Sequence, residues 1–149
     1  MNLLNTLQQY TSQIMDDPLL SGGQQEQKMI QVFDLCHFID IYGHSLEIID
    51  YKHKICVVED AGIRKGIYFC DLVYNTRYYF DKWFYKQENL QTTRDQLNIK
   101  ELWFVSVVES SYSNNLADSK EFVKRNGVKN LYDKIFYFNF SQSIIKKIN

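Results

Sequence analysis

Asp50 and Lys52 stand two apart in "DYK", Asp60 and Asp71 follow within twenty residues, and Asp40 precedes them. Carboxylates gathered at one point beside a lysine can hold a divalent ion and let it activate water. The spacing does not gather these. Asp50 and Lys52 fall where two strand-like runs meet, at a hairpin tip, and Asp60 lies in the loop "DAGIRKG". A strand rise of about 3.3 Å per residue then carries Asp71 far from Asp60.

Metal-thiolate chemistry has less to work with. Cys36, His37, His44, His53, Cys56 and Cys70 form no CxxC or HxxxH pair, the spacings that set two ligands on one tetrahedral ion. No metal and no cofactor is expected. The chain has no GxxxxGK[ST], no GxGxxG and no GxSxG, so the turns that cradle a phosphate or expose a serine nucleophile are missing.

Aromatic residues are the other resource. "NTRYYFDKWFYK", residues 75–86, holds six rings in twelve positions. A helix over 75–88 turns Tyr79, Phe80, Trp83 and Phe84 to one side and Arg77, Asp81 and Glu88 to the other. Tyr78 and Tyr85 then sit on the flank beside Lys82, where phenols stay wet, and these three are the expected contact residues for a partner.

The elements that must position these residues are legible in part. Leu3, Leu7, Tyr10 and Ile14 recur at helical spacing and predict a docking helix that stops at "DDP". A second helix starts after Ser21 and the two glycines and ends at Gly43; from Met29 to Ile41 it is apolar on nearly all sides, so it is expected to be central and largely buried. "SLEIIDY", "KICVVE" and "GIYFCDLV" predict a three-stranded antiparallel meander, and "WFVSVV" a strand covered on both faces. A helix from Asn114 or Asn115 to "KRNGV" and a strand over 131–140 complete a strand-helix-strand unit with parallel strands. The tail "SIIKKIN" reads as a short helix or a frayed end. The expected fold is therefore α+β: two amino-terminal helices, the meander, an aromatic helix, and the strand-helix-strand unit completing one mixed sheet, as a single domain over 1–149.

The order over residues 24–109 (helix, three strands, helix, strand) resembles that of the restriction-endonuclease-like core, whose family pattern is PD…(D/E)xK. The resemblance is one of topology and covers about half the chain. It implies a metal-dependent nuclease, with Asp40, Asp50 and Lys52, or Asp60 and Asp71, as its candidate site residues. In the second set Val73 stands where the family has its lysine.

Composition sets the outer limits. At 45% hydrophobic, 15% aromatic and 23% charged, a packed globular chain is expected rather than a disordered one. The first residues lack the pattern of a secretory signal, and no stretch reaches the roughly 18 apolar residues of a membrane span. Three cysteines without framework spacing suit reduced thiols in the cytoplasm. Residues 1–62 hold nine acids against three lysines, a net −6, and the remainder a net +5. A pI near 6.3 lies far below the basic signature of nucleic-acid modules, although Arg64, Lys65, Arg77, Lys82, Lys86, Lys124, Arg125 and Lys129 could form a local patch. These readings together expect a soluble, non-catalytic binder of another protein, a basic one, of the inhibitor or immunity type.

Overall fold

The run Leu102–Val108 does not alternate because its strand is covered on both faces, with every residue buried. A computed structural model describes residues 3–43, 45–71, 82–108 and 115–148. The central strand, β4 (Glu101–Val108), pairs in parallel with β3 (Ile63–Asp71) and β5 (Lys134–Asn139). Outside these lie β2 (Cys56–Asp60) and β1 (Glu47–Asp50) on one side and β6 (Ile144–Lys147) on the other, all paired antiparallel. The sheet order is β1-β2-β3-β4-β5-β6. The α+β class and the expected order of elements hold.

Two helical layers cover the sheet. On one face α1 (Leu3–Met15) and α2 (Gly22–Tyr42) bring Ile14, Leu35, Phe38 and Ile39 against Val58, Ile67, Trp103, Val105 and Phe138. On the other, α3 (Gln87–Leu97) and α4 (Asn115–Arg125) bring Leu90, Phe122 and Val123 against Val57, Tyr68, Leu102, Phe104 and Ile135. None of the described helices is long and apolar enough to cross a membrane.

Local signals place the element ends. The Ser21 hydroxyl accepts from the Gln24 amide while the Gln24 side chain accepts from the Ser21 amide, a capping box that starts α2. Ala61 and Gly62 both have positive φ (51° and 81°), as a two-residue hairpin turn requires. The turn therefore closes directly on Asp60↔Ile63, and Asp60 is the last residue of β2 rather than part of a longer loop. α4 stops near Gly127 in the left-handed region (φ 64°), as the sequence indicated.

Two further expectations need correction. Of the aromatic segment, Lys82–Tyr85 is a single 3-10 turn, and the α-helix that follows is the polar Gln87–Leu97; residues 75–81 lie outside the described residues. Phe84 does point inward, fully buried against Tyr68, Phe104 and Phe122. The tail is neither helix nor frayed. Asn139 Oδ1 accepts from the Gln142 amide, Ser143 takes a left-handed φ of 54°, and the chain reverses to lay Ile144–Lys147 along β5.

At the end of the sheet where β4 begins, Lys65, Glu101 and Lys134 surround buried Trp103. The Trp103 indole donates to Glu101 Oε1 at 2.7 Å, Lys134 reaches the same oxygen at 3.1 Å, and both ammonium groups stand over the ring, at 4.9 and 5.3 Å. Partial burial pushes the Glu101 carboxyl up, yet these hydrogen bonds and the lysine charges outweigh it and hold the group below the ordinary glutamate value. A depressed folded value stabilises above the unfolded value and is lost as pH falls through the folded one. Glu101→Gln is expected to lose about 1 kcal/mol at pH 7, from urea midpoints, with the gap from wild type closing below about pH 4.

Candidate interaction surface

The acids considered for chemistry are held apart. Asp50 ends β1, where its Oδ1 accepts from the Lys52 amide at 2.6 Å and its Oδ2 lies 3.5 Å from His53 Nε2, so the trio closes the β1–β2 turn. Asp60 pairs with Lys65 at 3.5 Å at the opposite end of that strand pair. Asp71 ends β3, eight residues beyond the partner of Asp60, or about 26 Å along the strand. Asp40 is exposed on α2. Among the described residues no three His, Cys, Asp or Glu side chains come close enough to share a metal ion.

The thiols are interior groups. Cys56 Sγ accepts from the Gln31 side-chain amide at 3.0 Å, and burial pushes its thiol up to about 12. Burial raises Cys36 to about 11. Such values keep both thiols protonated and unreactive at neutral pH. Cys56 and Cys70 sit on opposite faces of the sheet. Lys28 and Gln31 reach from α2 to the carbonyls of Tyr51, His53 and Lys54, clamping the turn that carries Asp50 and Lys52.

Tyr78 lies outside the described residues; Lys82 and Tyr85 occupy the 3-10 turn, with their side chains outside the description. Of the basic residues considered for nucleic acid, Arg64 donates to the Leu97 carbonyl and Lys65 is committed to Asp60 and Trp103. A small pocket of about 110 Å³ lies between α3 and the turn after α4, lined by Gln87, Gln91, Arg94 and Asn130. Its one cation is spoken for, since Arg94 is 2.7 Å from Asp133 and bonds the Lys100 carbonyl.

What the sequence did not reveal is a surface on α2. The sheet takes up Val32, Leu35, Phe38 and Ile39, and α1 packs alongside through Leu7, Tyr10 and Ile14. That leaves a third side. Ile30, Phe33, His37 and Ile41 recur at three- and four-residue spacing and stack along it. Ile30 is 44% exposed and Phe33 37%. Phe33 meets Phe140 edge-on at 5.5 Å and His37 at 4.2 Å, while at the helix end Tyr42 lies 5.9 Å from Phe136, so α2 runs antiparallel to β5 with this stripe on the β6 side.

The stripe runs into a groove of about 560 Å³ between the end of α2 and β6, lined by Ile41, Tyr42, Phe136, Ile145 and Lys147. β6 makes the groove, and a tail read as helical or frayed hid it. The sequence signal that could have found the stripe is the apolar run from Met29 to Ile41, which continues round more of the helix than one sheet and one neighbouring helix can cover. No family model matches the chain, and no curated protein matches it.

Proposed function

We propose that this chain is a non-catalytic protein-binding module that acts by occluding a partner protein, in the manner of small inhibitors and bacterial immunity-type factors. One observation carries the reading: Ile30 and Phe33 stand exposed on a helix whose Val32, Leu35, Phe38 and Ile39 are buried, in line with Ile41, with Phe33 against Phe140 on the side of β6, whose outer edge has no strand partner among the described residues. Burying an apolar side chain of this size is worth about 1.5–3 kcal/mol, and association recovers what folding left in water. The excess of acids in residues 1–62 favours the approach of a basic partner over longer range. Three buried cysteines, none of them in a disulfide among the described residues, fit a reducing, cytoplasmic compartment.

The test compares partner capture from native lysate by the wild-type chain and by Ile30→Glu/Phe33→Glu. Both positions are exposed, so the double variant is expected to melt within a few degrees of wild type. The reading expects specific partners to fall at least tenfold in the variant, the loss that two contacts of this kind produce together. Equal recovery on both chains would remove the stripe from the account.

A further inference from the structure

We propose that the partner meets this surface with an extended segment, carrying carboxylates among aliphatic residues, that adds to β6 as a seventh strand. The proposal rests on the protein-binding reading and names the chemistry of what is bound.

The backbone supplies the first argument. β6 pairs on one side, from Phe136↔Lys147 to Asn139↔Ile144, and its outer side has no strand partner among the described residues. An open edge is a template for another strand unless something blunts it. Alternation turns Ile145 and Lys147, which stand opposite Phe138 and Phe136, toward α2, and Ile144 and Lys146 to the other face. A strand added here lays every second side chain over the groove floored by Ile41, Tyr42 and Ile145, a shape that takes aliphatic groups.

Charge supplies the second. Residues 139–148 contain two lysines and no acid. The other lysines on this face are committed, Lys134 to Glu101 and Lys65 to Asp60. Lys146 and Lys147 are exposed and enter no ion pair among the described residues. They therefore call for carboxylates, whatever the sign of the charge summed over distant parts of the chain, because that sum is screened beyond about 8–10 Å.

A second copy fits less well. An antiparallel β6–β6 pair centred on the strand sets Lys146 and Lys147 opposite Ile145 and Ile144 and supplies them with no carboxylate. β1, the other edge, has acids, but a bulge breaks its register between Ile48 and Asp50, and the Asp50 carboxylate is already used by the Lys52 amide. The occupant is another protein.

A random decapeptide display library selected against the full chain tests this. Selected peptides are expected to carry Asp or Glu between Val, Ile or Leu, to slow amide exchange in residues 144–148, and to bind Lys146→Glu/Lys147→Glu about tenfold more weakly or worse. A selection without acidic enrichment, equal binding to the double variant, or protection away from β6 would overturn the proposal. So would self-association of the wild type that the double variant loses in sedimentation, since it would assign the edge to a second copy. Lysate capture separates the two levels: partners lost with Ile30→Glu/Phe33→Glu but kept by Lys146→Glu/Lys147→Glu sink the added strand alone, whereas partners indifferent to both sink the binding reading of this surface.

Discussion

Phe38→Ala is expected to lower stability by about 3–5 kcal/mol, which would shift the melting temperature by roughly 6–20 °C for a chain of this length. Phe38 has no exposed surface and is the hub of the aromatic layer under α2. It stacks on Tyr42 at 5.3 Å and meets Phe69, Phe136 and Phe138 edge-on at 5.6–5.9 Å, with Trp103 at 6.4 Å. These rings stand on three strands of a paired sheet and on α2 itself, so they cannot collapse into the void, and residual cavity volume sets the upper part of the range. Phe38→Leu keeps most of the volume and is expected to cost less than about 1.5 kcal/mol. Urea unfolding of both variants measures the difference. A Phe38→Ala loss under 1 kcal/mol would mean that this layer is not packed as described.

Gly66→Ala gives the second large effect, in a direction opposite to the usual one. Replacing glycine by alanine at a position of ordinary conformation stabilises by about 0.4–1 kcal/mol through the unfolded chain. Here a Cβ would lie 2.7 Å from Ile55 Cγ2, 2.8 Å from Ile99 Cδ1 and 3.1 Å from Leu102 Cδ2. β3 cannot retreat, since Gly66 is registered against Val57 on one side and Leu102 on the other. Overpacking of this kind costs about 1–3 kcal/mol, so a net loss is expected. Ile99→Val removes the most yielding of the three contacts, and Gly66→Ala should cost less in that background than in wild type. A stabilised Gly66→Ala would contradict the close approach of the loop before β4 to this strand.

The elements with strong local signals were readable before any coordinates. The unalternating Leu102–Val108 and the stop at Gly127 each specify their structure within a few residues, whereas the Ser21 cap and the tight turn at Ala61-Gly62 emerge only from the structure. The elements that escaped are those whose reasons lie elsewhere in the fold. α3 carries two apolar residues in eleven and buries only Leu90; the β3–β4 crossover and the left-handed cap at Asn98 make it a helix. β6 is four residues long and is a strand because β5 offers it an edge.

The candidate surface escaped for a related reason. Periodicity assigns Ile30 and Phe33 to the same apolar class as Leu35 and Phe38, and the difference between them is how far the sheet extends beneath the helix. The contact residues expected from the aromatic segment, Tyr78, Lys82 and Tyr85, have side chains outside the description, so the surface argued above rests on other residues. Asp60 and Asp71 were separable from sequence in outline, because one stands at the turn before the strand and the other most of a strand length beyond it. Their placement at opposite ends of β3 follows from the register.

The central claim is that the side of α2 facing β6 is where this chain meets its partner. Hydrogen exchange of the chain alone and in complex with its captured partner tests it directly. The account predicts slowed exchange in residues 29–42 and 140–148, with α3 and the β1–β2 turn unchanged. Protection confined to the β1 edge or to α3, with the α2–β6 side left as it was, would contradict it.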